Sequence, residues 1–221
     1  MTNETNNIIE QGRLELLVIE DDPKFLSVAK ATYDTESNIQ VTYAKTYEEA
    51  LQNFKLKKFD FVVSDLFFPS ESSWITEITD RITPNIETCL KNVQKKMPWL
   101  TLDHHQKNFD RYFSSFKKLT ENPSGLGIAE YCYENRIPFT IVSQGDRHQG
   151  SLSIVRDILP YHPTISWDYC LGDPICENFL YRGVNIDKNS ASTWKDALYG
   201  NDGVIKRKKW KIFTSEQEEK T

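Results

Sequence analysis

The chain has 221 residues, 38 % of them apolar and 12 % aromatic, with 27 basic against 32 acidic side chains and a formal charge of −5. That length carries one domain or a small pair, and it buries enough core to fold without disulfides or a structural metal. No apolar run reaches the roughly 18 residues of a membrane span, and the acidic balance argues against a nucleic-acid binder.

The opening Met1-Thr2-Asn3-Glu4-Thr5-Asn6-Asn7 is polar and does not read as a signal peptide. The four cysteines, Cys89, Cys132, Cys170 and Cys176, form no C-x-x-C pair. Reduced structural thiols in a cytoplasmic protein are therefore expected.

Leu14 to Ile19 is an apolar run of strand length that ends in Glu20-Asp21-Asp22. Asp22-Pro23 reads as a helix N-cap followed by proline at the first helical position. Phe25, Val28, Ala29 and Thr32 then repeat at helical spacing. A second strand is expected over Ile39 to Ala44, and Thr46-Tyr47-Glu48-Glu49 is a capping box opening a second helix. Phe59 to Asp65 is a buried-type strand ending on an acid, followed by Leu66-Phe67-Phe68-Pro69. From Ser70 to about Asn122 three apolar stripes follow helical spacing, beginning at Trp74, Ile86 and Phe109. Gly125 to Tyr133 then reads as helix, Pro138 to Ser143 as strand, and Leu152 to Ile158 as helix. Val184 to Lys188 would be a last strand and Ser192 to Leu198 a last helix, ahead of a charged tail.

Strand, helix, strand, helix, strand in quick succession predicts a doubly wound parallel sheet with helices on both faces. Such sheets place their chemistry at the carboxyl ends of the strands. Asp21, Asp22 and Asp65 all stand there. Carboxylates gathered at one sheet edge can hold a hard cation, and magnesium suits them because it keeps waters and bridges to phosphate oxygens. A carboxylate can also be the nucleophile toward phosphorus. Ser143 and Lys188, at later strand ends, are the residue types that would neutralise a transferred phosphoryl group.

Three segments, Leu17 to Pro23, Ala44 to Leu51 and Phe59 to Pro69, match in order and spacing a known family. The chain resembles the receiver domain of two-component response regulators. The likeness resumes at Pro123-Ser124-Gly125-Leu126, runs through Arg136-Ile137-Pro138 to Ser143, and returns over Val184 to Leu198. It implies a five-stranded, flavodoxin-like sheet with Asp65 as phosphoacceptor, and Mg2+ held by Asp21, Asp22, Asp65 and the carbonyl of Phe67. It also implies Ser143 as the switch hydroxyl and Lys188 as the phosphate-pairing lysine. An alternative register puts Arg182-Gly183 at the lysine position. The family's usual proline after the lysine is Asn189 here, and its aromatic switch position would be Asn185.

The domain reading is a polar tail (1–13), a receiver-like α/β domain (14–69 and 123–200), a helical insertion (70–122) and a charged tail (201–221). The insertion enters beside the expected phosphorylation site, where it would cover that site or offer a surface to a protein partner. By the resemblance the chain is a stand-alone receiver phosphorylated by a histidine kinase or phosphotransfer protein. A phosphorylation-independent pseudo-receiver, binding partners through residues 70–122, is the alternative. A magnesium-dependent phosphohydrolase of the haloacid-dehalogenase type is more distant, since it wants a second Asp where Phe67 stands. His104-His105 reads as an exposed loop rather than a metal site, and His148 lies just after Ser143.

Overall fold

Leu14–Ile19 forms β1, and its last four residues are fully buried, as an unbroken apolar run requires of a strand covered on both faces. The computed structural model describes residues 13–96, 98–99, 101–144, 150–158 and 187–199. After β1 come α1 (Pro23–Tyr33), β2 (Ile39–Ala44), α2 (Tyr47–Leu56) and β3 (Phe61–Ser64). Three helices follow, α3 (Trp74–Ile82), α4 (Ile86–Lys96) and α5 (Leu102–Phe116). The remaining described elements are α6 (Ser124–Glu134), β4 (Phe139–Ile141), α7 (Gly150–Ile158) and α8 (Ala191–Tyr199).

The four strands pair in parallel in the order β2-β1-β3-β4, consistent with the flavodoxin-like class. Of the expected fifth strand, residues 184–186 lie outside the described residues, while Asp187 and Lys188 lead into a turn before α8. The third strand is shorter than its apolar run. At its start Asp60 Oδ2 accepts the Glu15 N–H at 2.8 Å, so a side chain takes the place of a ladder bond.

Alternation along β1 divides the core into two layers. Leu17 and Ile19 face a cluster with Val62, Leu126 and Ile141, to which α2 through α7 contribute. Leu16 and Val18 face the other, with Ala29 and Tyr33 of α1 and Trp194 of α8. Helices therefore flank the sheet on both sides, which is what a parallel sheet requires to bury both faces.

Local chemistry sets the helix ends. Asp22 Oδ1 accepts the Lys24 N–H at 2.8 Å, so the N-cap read from Asp22-Pro23 is present. Thr46 Oγ1 accepts from Glu49 N, and Glu49 Oε2 reaches back to Lys45 N at 2.7 Å, closing the capping box one residue early. Pro84 removes a donor just after α3, which ends in a short 3-10 turn over Thr83–Asn85. Thr101 caps α5, so His104 and His105 lie in its first turn rather than in a loop. His105 is buried, on the stripe that continues through Phe109, Phe113 and Phe116.

Helices α3 to α5 share the core of the sheet. Ile78, Leu90, Val93 and Phe109 belong to the same buried cluster as Leu17 and Val62. The chain leaves and re-enters this helical stretch at one neck. Phe68 bridges Pro123, Ser124 Oγ donates to the Phe68 carbonyl, and Asn122 accepts from Trp74 N while donating to Ser72 O. Cutting out residues 70–122 would therefore expose the sheet face, so surface substitutions are the cleaner probe of that stretch. No helix among the described residues is long and apolar enough to cross a membrane.

Candidate functional site

Strand register brings the acids together. Ile19 of β1 pairs with Ser64 of β3, and Asp65 N donates to the Ile19 carbonyl at 2.9 Å. One residue further, Glu20 and Asp65 stand at the carboxyl ends of adjacent parallel strands. Carboxylate oxygens of Glu20, Asp21 and Asp65 lie within 4.8 Å of one another. Glu20 is fully buried, Asp65 is 7 % exposed, and Asp21 is half-buried, which leaves the group one open side.

Lys188 enters this acidic group from the far end of the described chain. Its ammonium lies 2.8 Å from Asp65 Oδ2 and 2.5 Å from Glu20 Oε2, and the residue is 1 % exposed. The turn that carries it is held on several sides. Lys188 N donates to Gln144 Oε1 at 2.8 Å, and the buried Trp194 donates its indole N–H to the Lys188 carbonyl at 3.0 Å. Thr193 Oγ1 donates to the Asp187 carbonyl, and Tyr33 of α1 donates to the Trp194 carbonyl. The Phe25 ring, on the first turn of α1, lies 4.8 Å from the ammonium.

The Asp65 backbone is equally constrained. Asp65 Oδ1 accepts the Leu66 N–H at 2.7 Å, and Gly125 N donates to the Leu66 carbonyl. A Cβ at Gly125 would sit 2.3 Å from the Asp65 carbonyl oxygen and 2.8 Å from Leu66 Cα. Those are backbone atoms that cannot swing aside. Gly125→Ala is expected to cost about 2–3 kcal/mol and to shift Asp65. Urea unfolding, with magnesium titration of the folded variant, checks this; wild-type values in both would contradict it.

Burial sets the electrostatics. It pushes the Glu20 carboxyl up to about 7, aided by the Asp65 charge and opposed by Lys188. It also raises Asp21 and Asp65, against the pull of Lys188 on both. Burial works against the Lys188 ammonium, but the Asp65 and Glu20 charges outweigh it and hold that pKa above its ordinary value. Three carboxylates facing one ammonium leave the site short of positive charge. An all-oxygen donor set with excess negative charge fits a hard divalent cation.

The metal-free protein should lose stability as pH rises from about 4.5 to 7. Over that window folded Glu20 holds a proton that the unfolded chain has released, so each pH step favours unfolding. The Glu20 contribution is on the order of 3 kcal/mol. Magnesium should flatten the slope by favouring the ionised carboxylates. Unfolding free energies across that range, with EDTA and with magnesium, test the expectation; a stability that rises with pH without metal would contradict it.

Of the residues expected from the sequence, the structure brings together Asp21, Asp65 and Lys188. Asp22 is not in the group: its Oδ1 accepts the Lys24 N–H at the start of α1, and the residue is exposed. Glu20 is the third carboxylate of the group. The clue was its offset: it follows the last residue of β1 directly, as Asp65 follows the last residue of β3. Phe67 is half-buried and packs against the core two residues beyond Asp65. Ser143 is buried at the carboxyl end of β4, where Val142 N extends the ladder to the Ser64 carbonyl. Arg182, Asn185 and His148 lie outside the described residues. Gln144 and Trp194, which hold the Lys188 turn, carried no signal beyond their residue types.

No family model matches the sequence, and neither does any curated protein. Among solved structures the chain is similar to the RcsB response regulator of Salmonella typhimurium, described for its conformational dynamism for DNA interaction. The two are 8 % identical, the match covers 68 % of this chain and 49 % of that one, and the TM-score is 0.35. The chain thus spans about half the length of that structure.

Proposed function

We propose that the chain is a receiver-type phosphoacceptor, phosphorylated on Asp65 with Mg2+ by a histidine kinase or phosphotransfer protein. One observation carries the reading: a buried lysine delivered onto two strand-end carboxylates, with a third beside them. A lysine so placed can pair with a phosphoryl oxygen formed on its carboxylate neighbour.

The step balances simply. A carboxylate oxygen of Asp65 attacks the phosphorus of a phosphohistidine, the P–N bond breaks, and the imidazole leaves with the electron pair and takes a proton. Leu66 N–H fixes one Asp65 oxygen, which limits rotation of the carboxylate. Lys188 passes from Asp65 Oδ2 to an equatorial oxygen of the transferred group. Ser143, buried at the end of the neighbouring strand, would supply the hydroxyl contact. Glu20, Asp21 and Asp65 would hold the cation, whose charge offsets that of the phosphoryl oxygens.

Titration of wild type and Asp65→Asn with magnesium and beryllofluoride, read by tryptophan fluorescence, tests this. Saturable binding in wild type and none in Asp65→Asn is expected. Equal behaviour of the two proteins, with both folded, would favour the pseudo-receiver that binds partners through residues 70–122.

A further inference from the structure

Phe25 lies four residues beyond Asp21, on the first turn of α1, and is half-buried against the Leu16 and Val18 side of the sheet. Its ring lies 4.8 Å from the Lys188 ammonium, within the range of a cation–π contact. Among the described residues its ion-pair partners are Glu20 and Asp65, with the Asp21 charge close by. An ammonium has three N–H donors, and these two ion pairs account for two of them.

We infer that Phe25 is a positioning residue for Lys188, holding the ammonium at the strand ends when the carboxylates are engaged elsewhere. The inference rests on the phosphoacceptor reading above. Glu20 and Asp65 are also two of the three oxygen donors available to a divalent cation. A bound cation shares their charge, so their hold on Lys188 weakens when the site must pair a phosphoryl oxygen. The aromatic face carries no net charge and binds no hard cation in competition with carboxylates. Its grip on the ammonium therefore survives metal binding. Lys24, whose ammonium is 5.9 Å from the same ring, is exposed, and its charge acts on Asp187.

Leucine at position 25 keeps an apolar side chain but removes the ring face. With magnesium saturating, Phe25→Leu should weaken beryllofluoride binding about tenfold while magnesium affinity stays within about twofold of wild type. Phe25→Tyr keeps the ring and should restore wild-type binding. A second readout is the exchange of the Lys188 ammonium protons with water, followed by NMR of 15N-lysine-labelled protein. It should quicken in Phe25→Leu and not in Phe25→Tyr, with or without metal.

Wild-type beryllofluoride affinity and wild-type proton exchange in Phe25→Leu would overturn the inference. So would a Phe25→Tyr protein as weak as Phe25→Leu, since volume rather than the ring would then matter. Should wild type bind no beryllofluoride, the phosphoacceptor reading fails by itself. The exchange measurement in metal-free protein then still decides whether the ring holds the lysine.

Discussion

Lys188→Ala is expected to destabilise the metal-free protein by about 3–5 kcal/mol at pH 8, because it removes the ammonium paired with two buried carboxylates. Lys188 is 1 % exposed, Glu20 is fully buried, and each leans on the other. With alanine in place, Glu20 and Asp65 must either keep unpaired charge in a dry site or take up protons. Both courses cost free energy, and protonation is cheaper as the pH falls. The loss should therefore shrink toward pH 5, where Glu20, pushed up to about 7, is neutral in the folded protein anyway. Magnesium should recover part of it. Lys188→Arg should not rescue fully, since a planar guanidinium does not fill the place of a compact ammonium between two carboxylates. Urea unfolding at both pH values, with EDTA and with magnesium, measures these differences. A loss of the same size at pH 5 and pH 8 would show that packing, and not charge, explains the position.

Asp65→Asn should abolish phosphorylation and beryllofluoride binding while leaving the fold within about 1 kcal/mol of wild type. Two opposing effects lead to that small number. Burial disfavours the ionised Asp65 carboxylate, so a neutral amide relieves a penalty. Against this, Asp65 accepts from the Leu66 N–H and faces the Lys188 ammonium at once. These donors face different oxygens, and Asn would turn its NH2 group toward one of them. Loss of function without loss of fold separates a chemical role for Asp65 from a structural one. A thermal midpoint far below wild type would remove that separation and count against the argument.

The first half of the fold was legible because local chemistry and burial agree there. Leu14–Ile19 and Ile39–Ala44 fall where the apolar runs end, and α1 and α2 begin at caps whose hydrogen bonds are present. The stripe of α3 was equally plain, with Trp74, Ile78 and Ile82 four residues apart. The first turn of α5 was not, because Asp103 and His104 are polar and exposed there and hide the period until Phe109. The neck that joins Phe68 to Pro123 depends on pairing across a long intervening stretch, which no local pattern records.

The site was half legible for a related reason. Asp21 and Asp65 announce themselves as acids following strands, but which acid of Glu20-Asp21-Asp22 turns inward depends on where the strand stops and the cap begins. Asp22 caps α1, so Glu20 turns inward. Lys188 was expected from the resemblance, as the end of a strand. Lys188 itself lies in a turn anchored by Gln144 and Trp194, contacts that a linear reading does not reveal. Burial of a lysine is costly unless it is paired, and that cost is the physical sign that the site is built around it.

The most direct test of the account is whether Asp65 takes a phosphoryl group. Protein incubated with acetyl phosphate and magnesium, then measured by intact-mass spectrometry, should gain a single phosphoryl group that hydroxylamine removes, as an acyl phosphate requires. The gain should disappear with EDTA and in Asp65→Asn. A folded wild-type protein that gains no phosphoryl group, or an adduct that persists in Asp65→Asn, would contradict it.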